Sequence, residues 1–134
     1  RFERALWHQL QQLNELDRQW FDWDPAVSSD PHDSKFSFSF AGQAFFVVGL
    51  HPNSSRQTRR FAWPTLVFNA HEQFKALRAA GLFESLQRQI RTRELRLQGS
   101  LNANLADYGD ASEARQYSGR EVEPLWKCPF RSRR

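Results

Sequence analysis

The stretch from Lys35 to Leu50, KFSFSFAGQAFFVVGL, narrows the possible folds more than any other part of the chain. Phe36, Phe38 and Phe40 alternate with small residues, the two-residue period of a strand with one apolar face and one small polar face. Ala41 and Gly42 then supply a tight turn. The unbroken apolar run from Ala44 to Leu50 reads as a second strand, apolar on both faces and therefore central in its sheet. Whatever follows Leu50 is expected at the end of a rigid strand, a common setting for binding groups.

Before this hairpin, Phe2, Leu6, Leu10, Leu13, Leu16 and Trp20 recur at steps of three and four, one stripe of an amphipathic helix over residues 2–20. DWDPAVSSDPHDS, residues 22–34, ends it: Pro25, Pro31 and the clustered Asp and Ser mark a loop, with His32 read as exposed. Further on, WPTLVFN predicts a short strand. Asn69 with Glu72 makes a capping box for a helix from about Ala70 to Ala80, which Gly81 ends. A second helical pattern, Leu82, Phe83, Leu86, Ile90 and Leu97, runs towards Gly99 with arginines around its polar side. One short helix is expected around Ser112 to Tyr117, and Trp126 and Phe130 predict a tail docked on the domain. The predicted fold is α+β, a small, mainly antiparallel sheet with helices packed on one side. Its 134 residues suit a single domain by the usual ~100–200 residue range.

The chain begins at Arg1 and contains no Met, so it is expected to be part of a longer product. No apolar stretch approaches the ~18–20 residues of a membrane span. A signal peptide is not evident, and Cys128 is the single cysteine, which together predict a cytoplasmic protein without a disulfide framework. Of 19 basic residues only Lys35, Lys75 and Lys127 are lysines. Arginine's planar fork suits carboxylate and phosphate, so the net charge of +4 favours a partner with acidic groups. Nucleic acid is disfavoured, because the aromatics fall on core-like spacings rather than among the basic residues as a stacking platform.

The loop after the central strand, GLHPNSSRQTRR, carries the densest chemistry. Pro52 biases His51 to an extended backbone, which gives its ring a fixed starting point. That ring is either a metal or haem ligand or a histidine bonded within its own loop; spacing alone favours the latter. His71 falls in the first turn of a predicted helix, where the macrodipole disfavours imidazolium and a neutral ring can ligate or simply pack. Arg56, Arg59 and Arg60, with Ser54 and Ser55, suit carboxylates or phosphates, or coat a sheet end and meet water. Cys128 is a thiolate ligand or, more commonly, a buried inert thiol. No GxSxG, Walker-type or GxGxxG pattern occurs, so hydrolase, NTPase and dinucleotide readings lack their usual support.

Taken in order, FFVVGLHPNSSRQTRRF, PTLVFNAHEQFKALR, IRTRELRLQGSLNANL, SEARQYSGR and WKCPF resemble the signature blocks of the YqcI/YcgG family, over nearly the whole chain. Two departures stand out. Relatives carry further sequence before the first helix, including a Pro-Cys segment, and tend to read Asn-Pro where this chain has Asn102-Ala103-Asn104. The resemblance implies a haem-dependent monooxygenase that uses O2 and an external electron donor to hydroxylate a guanidine or amine nitrogen of an arginine-like small molecule, with no nucleic-acid or membrane partner. It implies haem b, with His51 as the iron ligand and His71 second. Arg56, Arg59 and Arg60, together with Ser55, would meet the propionates. Glu72 or Glu113 would pair with the guanidinium, since a carboxylate matches that fork. The other reading is a non-catalytic haem- or ligand-binding carrier or sensor, distinguished by the lack of turnover with O2 and a reductant.

Overall fold

The computed structural model describes residues 1–98 and 111–132. Helix α1 covers Phe2–Asp17, strands β1 and β2 cover Phe38–Phe40 and Gln43–Leu50, and strand β3 covers Thr65–Ala70. Helices α2 and α3 follow at His71–Ala79 and Phe83–Gln98, and short 3-10 turns occupy Gln57–Arg59 and Glu113–Gln116. The three strands form one antiparallel sheet in the order β1-β2-β3, so the run from Gln43 to Leu50 is the central strand and the class is α+β.

The hairpin forms as its residues dictate. Ala41 and Gly42 both take positive φ, 54° and 78°, the conformation a two-residue type I′ turn needs at both central positions. Phe40 then faces Gln43, and Phe38 faces Phe45. Two carboxylates hold it from outside. Asp17, the last residue of α1, accepts from Ala41 N at 2.8 Å, and Asp24 accepts from Ala44 N at 2.9 Å.

The serines of this stretch do not face solvent. Ser37 and Ser39 are as fully buried as Phe36 and Phe38. Ser39 Oγ accepts from Asp24 N at 2.9 Å, so the loop of residues 22–34 folds over the face that alternation assigned to water. Small hydroxyls are tolerated there because each has a partner.

Leu6, Trp7 and Leu10 of α1 enter a core that includes Phe36, Phe38, Val47, Tyr117 and Phe130, with Phe2 and Leu13 at its margin. The stripe ends earlier than its sequence pattern suggests. Leu16 is 58% exposed and Trp20 75%, while Asn14 and Asp17 are buried. At ~100° per residue Leu16 lies well round the helix from Leu10 and Asp17, and the helix stops before Trp20 could rejoin the stripe.

Helix α2 starts without the expected capping box. Asn69 belongs to β3, and its amide donates to Phe46 O at 3.3 Å across the sheet, leaving the helix without a side-chain cap. Its other end agrees with expectation. Gly81 at φ 73° is followed by Leu82 N donating to Leu77 O, while Gly81 N donates to Arg78 O, the paired bonds of a Schellman ending.

The tail docks. Phe130 is buried against Trp7, Trp23, Phe36 and Phe38, with ring centroids 5.7 to 6.5 Å apart. Gln11 of α1 both donates to and accepts from the Arg131 backbone at 2.9 Å. His32 is exposed as expected, yet its Nε2 accepts from Cys128 N at 3.2 Å and fastens the tail to the loop.

Gly49 marks the closest approach of these layers. A Cβ there would lie 2.7 Å from Phe2 Cε2, 2.8 Å from Leu6 Cδ1 and 2.8 Å from Tyr117 O. Tyr117 O is backbone, and it also accepts from Gly49 N at 2.7 Å, so it cannot move away without losing that bond. Gly49→Ala is expected to destabilise the fold by about 1–3 kcal/mol, the range for forced overpacking. Chemical denaturation checks this through a lower midpoint at unchanged slope.

Candidate functional site

Strand β1 begins only at Phe38, and further along β2 the backbone of the segment Glu113–Tyr117 lies alongside instead, with Tyr117 O accepting from Gly49 N at 2.7 Å. Ser112 caps that segment: its Oγ accepts from Ala114 N and donates to Pro31 O at 2.6 Å. The result brings together four polar side chains from distant parts of the chain, Ser37, His71, Glu113 and Tyr117.

Glu113 sits at the centre and is almost fully buried. Its Oε1 accepts from Ser37 Oγ at 2.6 Å and from Tyr117 Oη at 2.6 Å. His71 Nε2 lies 3.2 Å from Oε2 and 2.8 Å from Ser37 Oγ. Two hydroxyls converging on one oxygen make Oε1 an acceptor, while Oε2 faces the His71 ring nitrogen. Burial, together with the neighbouring Glu113 charge, pushes the Tyr117 phenol well above its ordinary value, so it stays a donor. Each hydroxyl also has Phe45 O in reach, at 2.9 Å from Ser37 and 3.3 Å from Tyr117.

These residues include the members of a Ser-His-Glu set but not its geometry. One nitrogen, Nε2, faces both serine and carboxylate, whereas a nucleophile-activating histidine uses one nitrogen for each. Ser37 is also fully buried. The cluster is a proton-sharing lock between β1, α2 and the 113–117 segment, with His71 as its least buried member.

The loop after β2 is closed on itself. His51 N donates to Arg59 O, and Phe61 N and Ser54 N donate to His51 O. Arg60 Nε donates to Ser54 O at 2.9 Å, and Arg59 Nη1 to Gln116 O at 3.3 Å. Arg56 is buried, at 7% exposure, while Ser55 is exposed and has partners of its own. The loop is therefore neither a solvated turn nor a set of uncommitted arginines. Arg60 is bonded through Nε, and neither of its Nη groups has a protein acceptor among the described residues.

His51 itself stacks on Phe2, centroids 4.3 Å apart and planes 24° apart. Stacking occupies a ring face and leaves the in-plane nitrogens alone, and among the described residues neither nitrogen has a hydrogen-bond partner. Burial holds its pKa below the ordinary histidine value, so the ring is neutral near pH 7. Glu72 is exposed in the first turn of α2, with no partner among the described residues. The Cys128 thiol is buried and pushed up to about 12 by desolvation, which keeps it protonated. Asn102 to Asn104 lie outside the described residues.

The sequence pointed to His71 and Glu113 separately, and the structure joins them; it pointed to neither Ser37 nor Tyr117 as site residues. Ser37 was hidden by its place in a strand-like alternation. Tyr117 carried a weak signal, a lone tyrosine four residues after a glutamate in a short helical segment. Glu113→Ala is expected to lower stability by on the order of 3 kcal/mol, because it strips a buried cluster of its acceptor. Ser37→Ala should lower it by about 1 kcal/mol, since only one donor goes with it. Denaturant melts of both variants check the order.

The family model for the YqcI/YcgG family matches residues 1–131. The chain is 30% identical over 135 residues to the uncharacterized protein YcgG of Bacillus subtilis strain 168, covering 96% of this chain and 53% of that protein. It is 29% identical to the uncharacterized protein YqcI of the same organism, covering 96% of this chain and 52% of that protein. It thus spans about half the length of the curated relatives it matches. No solved structure matches it. The blocks that suggested a family are spread through a match that covers nearly every residue, and the chain belongs to the YqcI/YcgG family.

Proposed function

We propose that this chain forms the ligand-bearing part of a haem-dependent monooxygenase that hydroxylates a guanidine or amine nitrogen of an arginine-like small molecule. The observation that carries the reading is the state of His51. It is a neutral imidazole at the end of the central strand, with both ring nitrogens uncommitted among the described residues. His71 is the weaker candidate because its Nε2 is engaged by Ser37 and Glu113. No three His, Cys, Asp or Glu side chains that could hold a bare metal ion come together among the described residues, whereas a haem iron needs only one side-chain ligand.

Haem b, when bound, supplies the oxidising chemistry with O2 and external electrons. The chain's own residues hold and orient. His51 would ligate the iron, and Arg60, braced through Nε, would offer its Nη groups to a propionate. Arg59 and Arg56 act behind it by keeping the loop closed. Glu72 is the carboxylate open to a guanidinium, since the oxygens of Glu113 are taken by its neighbours. The remaining walls of the pocket belong, in this reading, to the half of the family length that this chain does not span.

The protein expressed with haem supply is expected to show a Soret band. His51→Ala should abolish or strongly shift it, with the fold intact by circular dichroism, while His71→Ala retains it. A protein that stays colourless with added hemin removes the reading; loss in His71→Ala alone would move the ligand to α2.

Hemin titration checks the propionate contact. Arg60 is exposed in this chain; if bound haem covers it, Arg60→Ala is expected to weaken affinity by roughly tenfold, since a partly buried charge-assisted bond is worth about 1.5–3 kcal/mol, an exposed one about 0–1, and 1.4 is a factor of ten. Lysine should recover only part of that, because a point charge lacks the fork.

A further inference from the structure

Trp7 carries an anomaly that packing alone does not explain. It is buried at the centre of the core, and its Nε1 has no hydrogen-bond partner among the described residues. Most buried donors are satisfied, and an orphan calls for a reason. Its neighbours differ in this respect. Tyr117, with a ring centroid 5.6 Å away and planes 22° apart, donates its phenol to Glu113 at 2.6 Å. Trp126, with its ring centroid 6.0 Å from Trp7 and half-buried, donates Nε1 to Glu3 at 3.0 Å, and Glu3 is paired with Arg120. Tyr117, at the buried end of this row, therefore has a carboxylate to take its proton; Trp7 has none, and the carboxylate that Trp126 meets is already neutralised by Arg120, so Trp126 keeps its proton when it loses an electron.

We propose that Trp126, Trp7 and Tyr117 form a relay for single electrons between the protein surface and the buried Glu113 cluster. An outer-sphere one-electron oxidant takes an electron from the Trp126 indole. Trp7 refills Trp126, and Tyr117 refills Trp7, across rings in van der Waals contact. Trp7 cannot release its indole proton, so it stays a strongly oxidising cation and passes the vacancy on rather than holding it. Tyr117 ends the row: its phenolic proton moves to Glu113 Oε1 as its electron leaves. The products are a neutral Tyr117 phenoxyl radical, a protonated Glu113 and the oxidant reduced by one electron. Ser37, displaced from Oε1, has Phe45 O within 2.9 Å as its other acceptor.

The surroundings insulate the row. Phe36 and Phe46 flank Tyr117, and Phe130 lies between Trp7 and Trp23, with centroids 6.5 and 6.1 Å away. Phenylalanine is far harder to oxidise than indole or phenol, so the easiest route runs through the three named rings. The relay operates with or without haem, because its oxidant enters at Trp126.

The test uses a Trp20→Phe, Trp63→Phe, Tyr108→Phe background, which removes two strongly exposed indoles and the second of the two tyrosines. A photogenerated ruthenium(III) tris-bipyridine complex oxidises the protein, and electron paramagnetic resonance reads the frozen product. The background protein is expected to give a phenoxyl signal that Tyr117→Phe removes. Trp7→Phe should lower its yield at least tenfold, with an indolyl signal persisting at Trp126, and Trp126→Phe should lower it comparably. If Trp7→Phe does not fold, Trp126→Phe at its half-buried position decides. A background protein without a phenoxyl signal, or folded Trp126→Phe protein within a factor of two of the background yield, overturns the relay.

Discussion

A buried carboxylate organises this molecule. Glu113 accepts from a serine beside β1 and a tyrosine four residues further along its own segment, and it pairs with a histidine opening α2. Placing an anion where water is excluded is unfavourable unless donors surround it, and each donor comes from a segment whose position is fixed by something else. Tyr117 is held through the carbonyl that Gly49 N reaches, His71 by the end of β3, and Ser37 by the start of the hairpin. The segment of residues 113–117 completes the sheet's flank although it is not a strand.

The same segment links the cluster to the loop after β2. Gln116 O accepts from Arg59, and the side chain of Arg59 packs on Gly119. The His51 loop and the Glu113 cluster, far apart in the sequence, therefore share a wall. Any ligand that pulls on Arg59 also pulls on the residue beside Tyr117, which gives the proposed cofactor site and the buried network a mechanical connection.

Local features were legible where one residue type meets one backbone need. Gly42 forecast the hairpin turn and Gly81 the helix ending, because glycine takes positive φ readily, whereas Ala41 at φ 54° takes it against the preference of its side chain. Apolar continuity forecast the central strand. What failed was pattern without context. Ser37 and Ser39 alternate with phenylalanines exactly as a solvent face does, and only the fold of residues 22–34 buries them. Asn69 and Glu72 have capping-box spacing, yet Asn69 bonds across the sheet once β3 runs as far as Ala70. The pairing of His71 with Glu113 spans 42 positions and follows from topology alone, which no spacing rule encodes.

The docked tail has a consequence for how such a chain is made. Glu3 and Gln11 of α1 find their partners in Arg120, Trp126 and Arg131, separated from them by 117 to 123 positions. Phe130 fills the space between Trp7, Trp23, Phe36 and Phe38. Part of the apolar stripe of α1 is covered by Phe36, Phe38 and Val47, but the cover that Tyr117 and Phe130 give it arrives only with those distant residues. Contacts so remote in sequence are slow to close and leave hydrophobic surface open in the interval. A chain cut short before Phe130 is expected to bare Trp7 and Phe36, the rings that Phe130 covers.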